Sequence, residues 1–222
     1  MENNLVYKIS LEPTGTHMLL ADNIAPHSKV LDIGCADGYM GEYLIKHKNC
    51  ELWGIEPFPE SFALVQDKGY VFISNNQIEN ALLEEKLKNE QFDFILIGDV
   101  LEHLVFPGQV LCDLKKFLKP NGVMVVSLPN VGHYSIRRNL LLGKWDMTES
   151  GIMDRTHLHF FTLKTAVELL EKNGLVVQHV RPRGDLERWF RKIGLEKFGK
   201  KILYLFPEFF SIQFVFTAKV SL

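Results

Sequence analysis

Short runs of aliphatic and β-branched residues alternate along the chain with stretches of helical periodicity. The apolar runs predict seven strands, at residues 29–33, 51–55, 70–73, 92–97, 122–128, 175–180 and 211–219. Strands that alternate with helical segments are typical of βαβ units, in which a helix returns the chain to a parallel neighbouring strand. The pattern therefore predicts an α/β fold built on a parallel sheet.

Two helices carry start and stop signals. The first, near residues 107–118, has Pro107 in its first turn, and the second begins after the capping residue Thr162 and stops at Gly174. Each places an apolar stripe toward the sheet. The stripes are Val110, Leu111, Leu114 and Leu118 in the first helix, and Leu163, Ala166, Val167 and Leu170 in the second. A turn at 120–122 is expected before the fifth strand.

Residues 30–39 indicate a buried strand that ends in a glycine turn and opens a helix. Gly34 lets the backbone leave the strand sharply, and Gly38 keeps the helix amino terminus open to a ligand. The second strand ends in Glu56, a position from which doubly wound sheets bind the ribose hydroxyls. Ala36 stands where the dinucleotide fingerprint has its second glycine, which disfavours a nicotinamide or flavin. The two motifs together predict a site for a nucleoside cofactor.

Polar residues at the ends of other strands add candidates to this site. Asp32 lies late in the first strand, where an unpaired buried carboxylate would be costly, so it is expected to organise the turn or hold a cofactor ammonium group. Asn75 and Asn76 follow the third strand and offer amides to this site, although asparagine is also a common turn residue.

Candidate catalytic residues follow the fourth and fifth strands. Asp99, Glu102 and His103 come where the fourth strand ends, so their side chains are expected to face one cleft. His103 has a reference pKa near neutrality and suits a general base, and its alternative is a hydrogen bond to a neighbouring loop. His133 and His157 lie in the irregular segment that follows the fifth strand. Such loops at the carboxyl ends of strands build the sites of open α/β sheets.

Four motifs, in this order, resemble those of class I S-adenosylmethionine-dependent methyltransferases. They are DIGCADG at 32–38, Glu56, FDFILIGDVLEHL at 92–104 and LKPNGVMVVS at 118–127. The resemblance covers about residues 25–180 and, more loosely, the last strand, with Ala36 in place of the family's usual second glycine. It implies a Rossmann-like, seven-stranded, mostly parallel sheet with helices on both faces and an antiparallel last strand, and S-adenosylmethionine as cofactor.

The resemblance also implies which residues bind the cofactor and act on the acceptor. The expected cofactor-binding residues are Asp32, Gly34, Cys35, Ala36, Gly38, Tyr39, Glu56, Pro57, Asn75, Asn76, Gly98, Asp99 and Leu101. The candidate catalytic residues are His103, Asp99, His133 and His157.

Residues 154–162 and 206–216 resemble methyltransferases found with surface-glycan and sugar-nucleotide biosynthesis. The expected reaction is therefore O-methylation of a sugar or sugar-nucleotide acceptor. The alternative enzyme is a methyltransferase that acts on a quinone, a prenylated compound or another small metabolite. The alternative outside enzymes is a non-catalytic regulator that binds S-adenosylmethionine.

A length of 222 residues suits a single methyltransferase domain, 1–222. It divides into an N-terminal segment at 1–27, a cofactor-binding core at 28–130, an acceptor loop or lid at 131–162 and a basic amphipathic insertion at 181–206. Near 185–201 the insertion predicts a helix with Leu186, Trp189, Phe190 and Ile193 on one face. A solvated face, a phosphate-binding site and a membrane-surface anchor are its three possible uses.

Bulk properties limit the partners. A net charge of −2 disfavours nucleic acid, which leaves a small-molecule acceptor and at most peripheral membrane contact, with the oligomeric state unknown. Three cysteines suit reduced thiols in the core, and no secretory signal or membrane span is evident, so a cytoplasmic location is expected. His157 and His159 lack a further ligand at a recognised spacing, so no metal site is predicted.

Overall fold

A computed structural model describes residues 15–221, apart from the side chain of Glu187. Seven strands form one sheet in the order β3-β2-β1-β4-β5-β7-β6. β7 runs antiparallel to both β5 and β6, and the other pairs are parallel. The predicted fold class is thus confirmed. The strands are β1 (Lys29–Ile33), β2 (Glu51–Ile55), β3 (Phe72–Ser74), β4 (Phe92–Gly98), β5 (Leu118–Pro129), β6 (Leu175–Arg183) and β7 (Gln213–Val220).

Helices connect the strands and cover the sheet. They are α1 (Thr16–Asp22), α2 (Tyr39–Lys48), α3 (Pro59–Val65), α4 (Ile78–Ala81), α5 (Glu85–Lys88), α6 (Pro107–Leu114), α7 (Tyr134–Leu141), α8 (Leu163–Lys172), α9 (Leu186–Arg191), α10 (Glu196–Leu205) and α11 (Pro207–Phe210). Within the described residues no helix is long and apolar enough to cross a bilayer.

Neighbouring residues of the central strands point to opposite faces and fill two separate cores. Leu31 packs in the larger cluster, whereas Val30 packs with α1 and α2 in the smaller one. On β4 the same alternation places Ile95 in the larger cluster and Leu96 in the smaller one. Both faces of the sheet are therefore buried beneath helices, as the predicted three-layer arrangement requires.

The strand order reverses between β1 and β4, and this reversal positions the site. β1 pairs with β2 on one side and with β4 on the other, so Ile33 lies beside Ile97. The turn that begins at Gly34 therefore adjoins the end of β4. In open α/β sheets such a switch point forms the crevice in which ligands bind.

The structure changes one predicted helix end and one predicted turn. The helix predicted over 107–118 ends as an α-helix at Leu114 and continues as a 3₁₀ turn over Lys115–Phe117. The turn predicted at 120–122 lies inside β5, where the pairing shifts between Phe92 and Phe94 of β4. By contrast, the Thr162 cap is confirmed, since it forms a capping box with Thr165.

The single basic helix predicted near 185–201 is wrong. The segment forms two helices, α9 and α10, which are separated by a turn containing Gly194 at φ +75°. The rings of Phe190 and Phe198 then pack with their centroids 5.5 Å apart. Trp189 and Ile193 stay 72% and 67% exposed, so the predicted apolar face is only partly packed. A left-handed glycine lets the chain fold back where continuous periodicity predicted one helix.

Candidate functional site

Every second residue of the turn after β1 has a left-handed backbone conformation. Gly34, Ala36 and Gly38 have φ values of +67°, +50° and +77°. A Cβ on Gly34 would lie 2.7 Å from Val100 Cγ2, and one on Gly38 would lie 2.5 Å from Val65 Cγ2. Both glycines are thus required by conformation and by space. Ala36 adopts the same conformation with a methyl group, which is strained for an L-residue.

Glu56 ties the end of β2 to this turn. Its Oε2 accepts a hydrogen bond from the Ala36 N–H at 2.7 Å, and its Oε1 accepts one from the Phe58 N–H at 2.9 Å. Burial raises the pKa of Glu56, while these two amides oppose the rise. Because each carboxylate oxygen can accept two hydrogen bonds, both remain able to accept one from a ribose hydroxyl.

Asp32 supplies a second buried carboxylate, on the adjacent strand. The Tyr70 hydroxyl donates to it at 2.7 Å, and a side chain on Gly41 would overlap the Tyr70 ring. Burial raises the pKa of Asp32 to about 7, and the carboxylate of Glu56 adds to the rise while Tyr70 opposes it. An ammonium group from a ligand would offset this cost, so the site fits the methionine end of the expected cofactor.

A small cavity lies between these groups. Its volume is about 20 Å³, room for about one water molecule. It is lined by Leu20, Asp32, Gly34, Cys35, Tyr39, Met40, Leu96 and Gly98. Leu20 belongs to α1, and the Tyr39 hydroxyl contacts the His17 ring at 3.2 Å, so α1 covers the cavity.

The remaining predicted cofactor residues differ in their surroundings. The Asn75 amide donates to the Glu56 carbonyl oxygen at 2.9 Å, and the Asn76 amide donates to Glu84 Oε1 at 2.8 Å. Both asparagines are exposed, and Pro57 is half-buried. Leu101 has no exposed surface and lies in the larger core. The asparagines thus border the site, whereas Leu101 supports it from behind.

Asp99 directly follows β4 and has a left-handed conformation, with φ +56°. Its Oδ1 accepts from Ser127 Oγ at 2.8 Å and also from the Gln213 amide. Gln213 in turn accepts from the Thr16 hydroxyl on α1. Sequence reasoning did not assign Ser127 or Gln213 to the site, because they reach Asp99 from β5 and β7 rather than from the same motif.

His103 meets the irregular segment that follows β5. Its Nδ1 lies 3.2 Å from the Thr156 carbonyl oxygen, and its ring centroid lies 4.8 Å from that of His157. The Glu102 carbonyl oxygen accepts from the N–H groups of Leu158 and His159 at 2.8 and 3.1 Å. The structure thus brings together two of the predicted catalytic histidines, and backbone hydrogen bonds hold them there.

His133 has another local use. It is the N-cap of α7, with its Nδ1 2.8 Å from Ser135 Oγ, and it is buried. Burial lowers its pKa, so the neutral ring is favoured. This arrangement accounts for the residue as a helix cap, and its catalytic role stays a prediction.

The comparisons with known proteins bear on this arrangement of glycine turn and strand-end carboxylates. Residues 11–180 match the model of a methyltransferase domain family. The chain belongs to this family. The predicted methyltransferase and its cofactor, S-adenosylmethionine, are thereby confirmed at the level of the family.

Two curated relatives of this methyltransferase are named for ubiquinone biosynthesis. This chain is 30% identical over 173 residues to a ubiquinone biosynthesis O-methyltransferase of Rhodopseudomonas palustris, with 71% of this chain and 65% of the relative covered. It is 28% identical over 159 residues to the mitochondrial ubiquinone biosynthesis O-methyltransferase of Homo sapiens, with 68% and 42% covered. The chain thus spans less than two thirds of the length of these relatives.

Solved structures agree on the fold of the methyltransferase. A SAM-dependent methyltransferase from Archaeoglobus fulgidus aligns with a TM-score of 0.61 at 19% identity, covering 92% of this chain and 95% of the other. One from Listeria monocytogenes aligns with a TM-score of 0.63 at 16% identity, covering 92% and 96%. At these identities the likeness concerns the fold.

Proposed function

We propose that this chain transfers the methyl group of S-adenosylmethionine to a hydroxyl oxygen of a small acceptor whose reacting part is an apolar ring. The relatives named for ubiquinone biosynthesis support this class of acceptor. When bound, the cofactor would supply an electrophilic methyl group to the acceptor oxygen, while its sulfur leaves as a neutral thioether and the hydroxyl proton passes to His103, the candidate base. Glu56 would hold the ribose hydroxyls, and Asp32 would hold the ammonium group, so that the methyl group is fixed relative to the acceptor.

The observation that carries the proposal is a line of ring contacts that leads away from His103. The His103 and His157 centroids lie 4.8 Å apart, those of His157 and Phe160 lie 6.1 Å apart, and those of Phe160 and Trp145 lie 5.4 Å apart. Flat aromatic faces favour a ring as acceptor, because offset and edge-to-face pairs are attractive. Trp145 and Phe160 belong to the segment 131–162, which we assign as the acceptor wall.

Exposed apolar side chains extend this wall. Val105, Phe106 and Leu158 are 65%, 73% and 56% exposed, and the His159 ring lies 3.4 Å from the Val105 carbonyl oxygen. Exposed apolar surface of this kind suits a ligand that shields it from water. A sugar or sugar nucleotide, predicted from the sequence, finds less support here, and it is retained as one arm of the test.

The experiment offers methyl-labelled S-adenosylmethionine with two acceptor pools, prenylated catechols and sugar nucleotides, and uses Glu56→Ala as the blank. We expect label in the catechol pool. Trp145→Ala should raise KM for the catechol about tenfold, because it removes an aromatic contact of about 1.4 kcal/mol. Trp189→Ala is the matched control, since Trp189 is also exposed but lies on α9.

Either of two results would overturn the proposal. Label confined to sugar nucleotides would replace the acceptor class. An unchanged KM in Trp145→Ala, with transfer intact, would show that Trp145 does not contact the acceptor.

A further inference from the structure

Glu102 is an unpaired carboxyl group inside the protein. The residue has no exposed surface, and neither carboxyl oxygen has a hydrogen-bond partner among the described residues. An isolated buried carboxylate is expensive, so such groups are normally paired, protonated or bound to a metal. Neither the fold nor the cofactor site uses this side chain.

Two imidazoles lie against it. One ligand atom from each of Glu102, His103 and His157 lies within 4.8 Å of the others. The Nδ1 atoms of His103 and His157 lie 3.2 Å from the carbonyl oxygens of Thr156 and Ile152 respectively. A ring nitrogen that faces a carbonyl carries the proton, which leaves Nε2 as the free lone pair in each ring. Backbone carbonyls orient metal-binding histidines in the same way.

We propose that Glu102, His103 and His157 bind a divalent first-row transition cation. Two imidazoles and one carboxylate form a ligand set that suits such cations and leaves positions open for other ligands. Bonds of about 2.1 Å place ligand atoms roughly 3–3.5 Å apart, so ligand atoms that now lie up to 4.8 Å apart need to close by up to about 1.5 Å. His103 is exposed and can turn to do so, and Asp99 and Asp154 add negative charge nearby.

The three ligands come from two parts of the chain. Glu102 and His103 follow β4, whereas His157 lies in the segment 131–162. A cation would therefore fasten the proposed acceptor wall to the end of the sheet. If the proposed O-methyl transfer is correct, an open position on the cation could take the acceptor hydroxyl and lower its pKa, so that its proton passes to water, and His103 would then be a ligand rather than the predicted base. No metal was predicted from the sequence, because Glu102 lies far along the chain from His157 and the two form no recognised ligand spacing.

The test uses the full chain after treatment with a chelator. Co²⁺ is titrated by visible absorption, and Zn²⁺ and Mg²⁺ are titrated by calorimetry. We expect one equivalent of Co²⁺ or Zn²⁺ to bind and raise Tm, with much weaker binding of Mg²⁺. Glu102→Gln and His157→Gln should each weaken binding by at least about tenfold. His159→Gln, two residues from His157 and outside the cluster, is the matched control and should bind as wild type.

Glu102→Gln separates a ligand from a structural residue. Removal of an unpaired buried acid should leave the metal-free Tm equal or higher, and it should abolish the rise in Tm on addition of Zn²⁺. The metal inference is overturned if wild type does not bind, or if Glu102→Gln, His157→Gln and His159→Gln bind alike. Stoichiometric binding without methyl transfer to any acceptor would refute the proposed function and leave the metal site standing, whereas full transfer by a metal-free protein would refute the cation's role in the reaction.

Discussion

Ala36 is a position where one substitution should stabilise the protein. The turn after β1 has left-handed residues at Gly34, Ala36 and Gly38, and of these three Ala36, at φ +50°, carries a side chain. Ala36→Gly removes the contact between Cβ and the following carbonyl that makes this conformation unfavourable. The substitution keeps the backbone N–H that donates to Glu56 at 2.7 Å.

The expected gain is the difference between two terms. The left-handed conformation costs alanine about 1–2 kcal/mol relative to glycine. Glycine also gives the unfolded chain more conformational freedom, which lowers the free energy of unfolding by about 0.4–1 kcal/mol. The central values of the two terms give a net gain in the free energy of unfolding of about 0.8 kcal/mol, or a rise in Tm of about 2–3 °C for a chain of this size.

The assay is thermal and urea unfolding followed by circular dichroism without cofactor. Ala63→Gly is the control, because Ala63 is exposed within the right-handed helix α3. There the same chemical change should lower stability by about 1 kcal/mol. The two substitutions thus have opposite predicted signs. A fall in Tm for Ala36→Gly that matches the fall for Ala63→Gly would refute the argument from backbone strain.

Two further predictions concern a helix cap and a buried acid. Thr162→Ala removes the side chain that accepts from the Thr165 N–H and should cost about 1 kcal/mol in urea unfolding, whereas equal stability would mean that the capping box is energetically silent. The pKa of Asp32 is about 7 in the folded protein against a reference value of 3.8, so the folded state holds an extra proton between these values. The free energy of unfolding should therefore fall as pH rises through this window, by up to about 1.4 kcal/mol per pH unit, and Asp32→Asn should flatten the curve. Parallel curves for wild type and Asp32→Asn would contradict the assignment.

The fold was predictable because its signals are local. Each strand of the sheet appears in the sequence as a short apolar run, and the start and the end of α8 are marked by Thr162 and Gly174 respectively. The prediction of a single helix near 185–201 was wrong, because this segment contains Gly194, whose left-handed conformation reverses the chain. Periodicity shows which residues share a face only while the backbone stays helical, so it could not show this break.

The geometry of the candidate cofactor site was predictable for the same reason. The glycine turn and Glu56 are contiguous motifs whose geometry follows from a strand, a turn and a parallel neighbour. The network around Asp99 was not predictable, because Ser127 and Gln213 approach from strands that pair only in the folded sheet. Side chains that converge across a sheet leave no spacing in the sequence that reports their contact.

The proposed acceptor wall is held by contacts between residues that lie far apart in the sequence. The segment 131–162 is joined to the end of β4 through the Glu102 carbonyl and the His103 ring, whereas Glu56 and Asp32 contact the turn after β1 and Tyr70. The two sets of contacts share no side chain. Substitutions in the segment can thus alter the acceptor without loosening the cofactor turn, so we expect acceptor specificity to depend on this segment while the cofactor site stays intact.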